Sequence, residues 1–167
     1  KEKFEKKNIL LLGAAGTIGS EILKKFIKYK PKKILMIDSN ENDLIDLYRE
    51  LITIDRSLPK ILEYYPIDML TPDLIRLIDT EDIKVIINCA ASKHVRSQKN
   101  LIRNKRIFFN NLFINFYLLF NIKNKNKKID FFCVSTDKSS SPKNLMGLTK
   151  NIMEDTLIYF DKKYKNI

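Results

Sequence analysis

Cysteine is scarce: only Cys89 and Cys133 occur in 167 residues. Two thiols are too few for a disulfide scaffold or a zinc site, and no metal is expected. Each lies within an apolar run, which reads as a buried thiol in a reducing compartment. Long hydrophobic stretches are missing too. No apolar run reaches the roughly 20 residues that a membrane span requires, and no signal peptide opens the chain. It begins at Lys1 rather than at a methionine, which reads as a trimmed start. Glycine is sparse, with four residues, yet three of them crowd into one septet. Positive charge, by contrast, is abundant: 31 Lys and Arg against 20 Asp and Glu give a net +11. That excess suits nucleic acid or an anionic surface. The lysines are scattered rather than gathered on one motif, so no nucleic-acid partner is expected. With 44% hydrophobic and 31% charged residues, the composition is that of an ordinary globular chain with room for one core.

Short apolar runs alternate with helical periodicity along the chain. Strands are expected at 8–12, 33–38, 84–88 and 129–135, with a weaker one at 64–67 ending at Asp68. Helices are expected at 17–29, stopped by Pro31, at 41–54, from Pro72, at 103–122 and at 144–159. The run Lys123–Lys128 reads as a solvated loop. Continuous apolar strands separated by amphipathic helices indicate a parallel sheet covered on both faces. Right-handed crossovers then favour a doubly wound α/β fold of Rossmann type with strand order 3-2-1-4-5.

Gly13-Ala14-Ala15-Gly16-Thr17-Ile18-Gly19 falls between the first strand and the first helix. Gly13 suits a tight turn, Gly16 an approach of backbone to a pyrophosphate, and Gly19 close helix–strand packing. Thr17 and Ile18 open the helix whose unpaired N–H groups and dipole attract phosphate. Asp38, closing the second strand, is placed to accept from ribose hydroxyls. With no Arg in Ser39-Asn40-Glu41, NAD is favoured over NADP. The competing reading is a tight turn with no ligand. Asp68, with Met69 beside it, is a candidate for the adenine edge; a helix N-cap explains an isolated acid equally well.

The GxxGxxG spacing resembles that of extended short-chain dehydrogenases/reductases, and three stretches narrow the likeness. Asp38-Ser39-Asn40-Glu41-Asn42-Asp43-Leu44 is similar to the acid-Ser-x-Glu-x-x-Leu stretch of nucleotide-sugar 4,6-dehydratases. Asn88-Cys89-Ala90-Ala91-Ser92-Lys93-His94-Val95 resembles their His-Ala-Ala-Ala-x-Lys-His-Val block. The run from Val134 to Lys150, with Ser135-Thr136-Asp137-Lys138 and Asn144-Leu145-Met146-Gly147-Leu148-Thr149-Lys150, is similar to the signature of polysaccharide-biosynthesis (CapD-like) UDP-N-acetylglucosamine 4,6-dehydratases.

The resemblance implies an NAD-dependent lyase acting on a UDP-N-acetylhexosamine in polysaccharide or glycan biosynthesis. It implies Asp137 as the acid that protonates the departing 6-hydroxyl and Lys138 as the base that takes the C5 proton. Their pKa values would have to be pushed apart by burial and neighbours. Lys150 would bind the nicotinamide ribose, and Ala90, Ala91 and Asn111 would lie near the cofactor. Met146 stands where most of the superfamily has a tyrosine base, which leaves Thr136 as the partner of the 4-hydroxyl. Lys93 is either a substrate contact or a structural loop residue, and His94 either a catalytic residue or a structural one; Arg96-Ser97-Gln98-Lys99 replaces the Pro and Glu that usually follow. Helix 103–122 is apolar on more than one face, and the resemblance implies a homo-oligomer through it and helix 144–159. Overlying C-terminal structure would explain the same surplus.

The chain ends at Ile167, just after the lysine helix, so 1–167 is expected to be the NAD(P)-binding domain without the family's nucleotide-sugar-binding domain. A cytoplasmic protein follows, or one at the cytoplasmic face of the inner membrane, with membrane association only through segments outside this chain. The alternatives are an NAD-dependent nucleotide-sugar epimerase or C4 reductase, which have no use for an adjacent Asp-Lys pair, and a truncated, non-catalytic NAD-binding module.

Overall fold

Five apolar runs form one parallel sheet: β1 (Asn8–Leu12), β2 (Lys33–Ile37), β3 (Leu62–Tyr65), β4 (Val85–Asn88) and β5 (Asp130–Cys133). Their order is β3-β2-β1-β4-β5, as the crossover argument requires. A computed structural model describes residues 3–91, 101–123, 125 and 127–167. Every residue of β1 and β4 is buried, which is why these runs show no alternation of polar and apolar positions. Leu10 pairs with Leu35 on one side and Ile86 on the other. All strands run the same way, so Leu12, Ile37, Asn88 and Cys133 end on one edge.

The chain divides into two compact units, Lys1–Cys89 with Ile129–Cys133, and Ala90–Lys128 with Val134–Ile167. The first holds the sheet with α1 (Thr17–Phe26), α2 (Glu41–Ile54) and α3 (Pro72–Thr80). Leu23 of α1 and Leu44, Leu47 and Leu51 of α2 share a core with Ile9, Leu11, Ile34 and Met36. The period of 2 in the strands and of about 3.6 in the helices brings these faces together. Truncating one of these side chains to Ala costs about 2–5 kcal/mol. Helix α2 starts where Asn40 Oδ1 accepts the Asp43 N–H at 3.3 Å, with Glu41 and Asp43 set against the helix dipole in its first turn. An ion cluster pins β2 to its neighbours: Lys33 Nζ lies 2.8 Å from both Glu63 Oε1 and Glu81 Oε2, and the Tyr65 hydroxyl donates to Glu63 at 2.7 Å.

The second unit holds α4 (Leu101–Phe108), α5 (Ile114–Ile122) and α6 (Leu145–Lys163). Asn144 caps α6, its Oδ1 accepting the Gly147 N–H at 2.9 Å.

Several boundaries differ from the sequence expectation. β3 lies two residues earlier than 64–67 because Pro66 has no N–H to give the ladder, so Asp68 stands beyond the strand. β5 is shorter than 129–135. Helix 103–122 is interrupted by a wide π-type turn at Phe109–Phe113. Cys89 and Cys133 are half-buried rather than buried. Lys123, assigned to a solvated loop, places its ammonium 3.5 Å from the Phe120 ring centre. No helix among the described residues is long and apolar enough to cross a membrane.

Candidate functional site

The turn after β1 is built on backbone contacts. Gly13 has φ 70°, a conformation that side chains disfavour, and this lets the Gly13 and Ala14 N–H groups both reach the Ile37 carbonyl, at 2.9 and 3.1 Å. Helix α1 then crosses so close that a Cβ on Gly19 would lie 2.0 Å from the Gly13 carbonyl oxygen. The first helical hydrogen bond runs from the Ser20 N–H to the Gly16 carbonyl at 2.9 Å, so the N–H groups of Thr17, Ile18 and Gly19 precede the ladder. Gly16, Thr17 and Ile18 are exposed. Among the described residues no side chain caps this helix start, and such an N-terminus fits a phosphate group.

Asp38 joins two turns. Its Oδ2 accepts the Ala15 N–H at 3.1 Å and its Oδ1 the Asn40 N–H at 3.1 Å. Each carboxylate oxygen keeps a second acceptor site, so the group remains able to take ribose hydroxyls while holding the glycine turn against the start of α2. The residues of this turn therefore fit a dinucleotide. Asp68 is exposed and closes its own turn, its Oδ1 accepting the Leu70 N–H at 2.9 Å. The N-cap of α3 is Thr71, so the helix-cap reading of Asp68 is corrected to a turn cap. Met69, Ala90 and Ala91 are half-buried. Lys93 and His94 lie outside the described residues.

The second unit gathers the other candidates. Thr136 Oγ1 donates to Asp137 Oδ1 at 2.9 Å and accepts the Lys138 N–H at 3.5 Å. Asp137 and Lys138 are exposed, so the described residues do not supply the burial expected around them. Lys150 is buried, at 3% exposure, and donates to the Val134 carbonyl at 2.7 Å. Its ammonium thus holds the segment that leads into Thr136. Met146 is half-buried in the first turn of α6, one turn before Lys150. Asn111 is fully buried within the π-type turn, with its side-chain amide 3.5 Å from Thr149 Oγ1 and its carbonyl accepting from Asn115 at 3.0 Å.

Sequence reasoning missed three residues here. A Cβ on Gly147 would lie 2.5 Å from the Lys138 carbonyl oxygen, so only glycine lets α6 approach that turn. Asn151 donates to the Ser139 carbonyl at 3.1 Å. Glu154 Oε1 accepts from the hydroxyls of Ser135 and, at 2.8 Å, Ser139. These two hydrogen bonds, and then the Lys150 charge, hold its carboxyl below the usual range. The only advance signal for Glu154 was its place four residues after Lys150, on the same helix face.

Comparison with known proteins gives the family and the fold. The model of the family described as polysaccharide biosynthesis protein matches residues 9–167. The capsular polysaccharide biosynthesis protein CapD of Staphylococcus aureus is 29% identical over 155 residues, 89% of this chain and 24% of that protein. The probable polysaccharide biosynthesis protein EpsC of Bacillus subtilis is 26% identical over 167 residues, 96% of this chain and 26% of that protein. The chain thus spans about a quarter of the length of these two relatives. Among solved structures, Pen from Bacillus thuringiensis superposes with a TM-score of 0.80 at 25% identity, over 96% of this chain and 47% of that one. The UDP-glucuronic acid 4-epimerase of Bacillus cereus, solved with UDP-glucuronic acid and NAD, gives 0.77 at 24% identity, over 95% and 53%; that likeness is one of fold.

Proposed function

The chain belongs to the polysaccharide biosynthesis protein family, and from that premise we propose that it is the cofactor-binding part of a UDP-N-acetylhexosamine 4,6-dehydratase. The observation that carries the reading is the buried Lys150 ammonium on the Val134 carbonyl, which ties the lysine helix to the Thr136-Asp137-Lys138 turn. The Gly13–Gly19 turn holds the pyrophosphate of NAD, and Asp38 holds the adenosine ribose and disfavours the extra phosphate of NADP. When bound, the nicotinamide supplies a hydride acceptor for sugar C4 that returns the hydride at C6. Thr136 orients the 4-hydroxyl, and since the thioether of Met146 takes no proton, the hydroxyl proton leaves to water under the pull of the Lys150 charge. Lys138 removes the C5 proton, Asp137 protonates the departing 6-hydroxyl, and the sugar loses one water across C5–C6. The exposure of Asp137 and Lys138 leaves both side chains open to a substrate. The protein works in the cytoplasm or at the cytoplasmic face of the inner membrane, and a second copy covers the apolar faces of α5 and α6.

Calorimetric titration tests the cofactor half: NAD⁺ binds saturably and more tightly than NADP⁺, and Asp38→Ala weakens it by about tenfold, the loss of roughly one charge-assisted hydrogen bond. Absence of NAD⁺ binding, or a preference for NADP⁺, would overturn it. The reaction is tested with UDP-N-acetylglucosamine deuterated at C4. Deuterium recovered at C6 of a 4-keto product supports the dehydratase, whereas deuterium kept at an inverted C4 shows an epimerase.

A further inference from the structure

Between β5 and α6 the chain makes a short turn at Asp137–Ser139, and a hydroxyl just before it and the one that ends it converge on one oxygen. Ser135 Oγ and Ser139 Oγ both meet Glu154 Oε1. The Ser139 hydroxyl has a second acceptor within reach, the Thr136 carbonyl at 2.7 Å, but a hydroxyl carries a single proton. The Thr136 carbonyl already receives the Ser139 N–H at 3.1 Å, and of the two acceptors the ionised carboxylate is the stronger for the hydroxyl proton. Ionised Glu154 can only accept, and both serines are able to donate.

From this convergence we infer that Glu154 is a positioning residue: its Oε1 clamps Ser135 and Ser139 and so fixes Thr136, Asp137 and Lys138 in the turn that presents them. The inference rests on the dehydratase reading for the roles of those three residues, though not for the clamp itself. Lys150 and Glu154, one helical turn apart on α6, grip the same segment at successive points, the lysine at the Val134 carbonyl and the glutamate at the two hydroxyls. Asn151 adds a third grip at the Ser139 carbonyl. The role is one of geometry rather than charge, because a single carbonyl oxygen with two lone pairs can accept both protons. A glutamine therefore substitutes where an alanine does not.

The test uses the full chain and reads the exchange rate of the Ser139 amide by NMR, together with the urea midpoint. Glu154→Ala speeds that exchange by about tenfold with little change in midpoint, while Glu154→Gln stays within about threefold of wild type, the spread expected for losing the contact or keeping it as a neutral hydrogen bond in a local opening. Unchanged exchange in Glu154→Ala overturns the clamp, and Glu154→Gln as fast as Glu154→Ala overturns its geometric basis. If Glu154→Ala does not fold, Ser135→Ala reads the same amide with α6 intact, and protection equal to wild type there overturns the clamp. NAD⁺ binding is followed in parallel by calorimetry. A wild-type chain that protects Ser139 but binds no NAD⁺ sinks the cofactor-half reading and leaves the clamp standing.

Discussion

Gly19 sits where α1 passes over the β1–α1 turn, and a methyl group there would meet backbone at 2.0 Å. The obstacle is not the tip of a flexible side chain, so either the helix or the turn must move. Gly19→Ala is therefore expected to cost about 1–3 kcal/mol, the range for overpacking a tight site, and to weaken NAD⁺ binding by displacing the donors at the start of α1. Urea unfolding and calorimetry check the two parts; a wild-type midpoint with wild-type affinity would show that the turn yields freely. Residue types at this turn were legible because glycine states its backbone role in one letter. The aim of a carboxylate is not stated that way. Nothing around Asp38 announced that it would take the Ala15 N–H, and nothing local to Glu154 marked Ser135 and Ser139 as its partners. The exposure of Asp137 and Lys138 was equally unreadable, since burial depends on what folds over a turn rather than on the turn.

Element type and order followed from periodicity, and the failures lie where one residue overrides the pattern. Pro66 ends β3 although Ile67 continues the apolar run. The π-type turn at Phe109–Phe113 leaves the apolar periodicity almost intact and so escapes notice. Lys33, Glu63 and Glu81 form a cluster that no single element displays, because each comes from a different part of the chain. Its pH behaviour follows from the shifts. Hydrogen bonding to Lys33 first, and then to Tyr65, holds Glu63 below its ordinary 4.5. A carboxyl depressed in the folded state contributes stability that is complete above its unfolded value and is lost as pH falls through the folded one. The advantage of wild type over Lys33→Met should accordingly narrow as pH drops from about 6 to about 3 in urea midpoints. A gap independent of pH would instead assign the effect to packing of the lysine stem. Burial, with the Glu63 carboxylate next, raises the Tyr65 hydroxyl to about 12. Its contribution is full below its ordinary 10 and fades as pH rises through that higher value.

At the scale of the whole chain, strand order was legible because crossover handedness leaves few alternatives, whereas the division into two units was not, since β5 returns to the first unit from within the second. The second unit also shows what the apolar surplus of helix 103–122 amounts to. Phe109, Phe113, Phe116 and Phe120 recur at helical spacing and are all exposed, as are Leu148, Ile152 and Tyr159 on α6. Phe116 and Phe160 meet edge to face at 6.2 Å, so the two helices share this side of the unit. Stripes of this kind suit a second copy, or overlying structure of the same protein. If a second copy covers them, the chain self-associates at micromolar concentration in sedimentation velocity, and the double variant Phe116→Glu/Ile152→Glu raises the dissociation constant by at least about tenfold. Charge sharpens the test. Two chains of net +11 repel one another, and an apolar contact opposed by that repulsion tightens as salt rises from about 0.05 M to about 0.5 M. A contact made by ion pairs weakens over the same interval. Association that strengthens with salt and disappears in the double variant identifies the aromatic stripes as the interface; a wild-type chain that stays monomeric at every salt concentration removes the second copy from the reading.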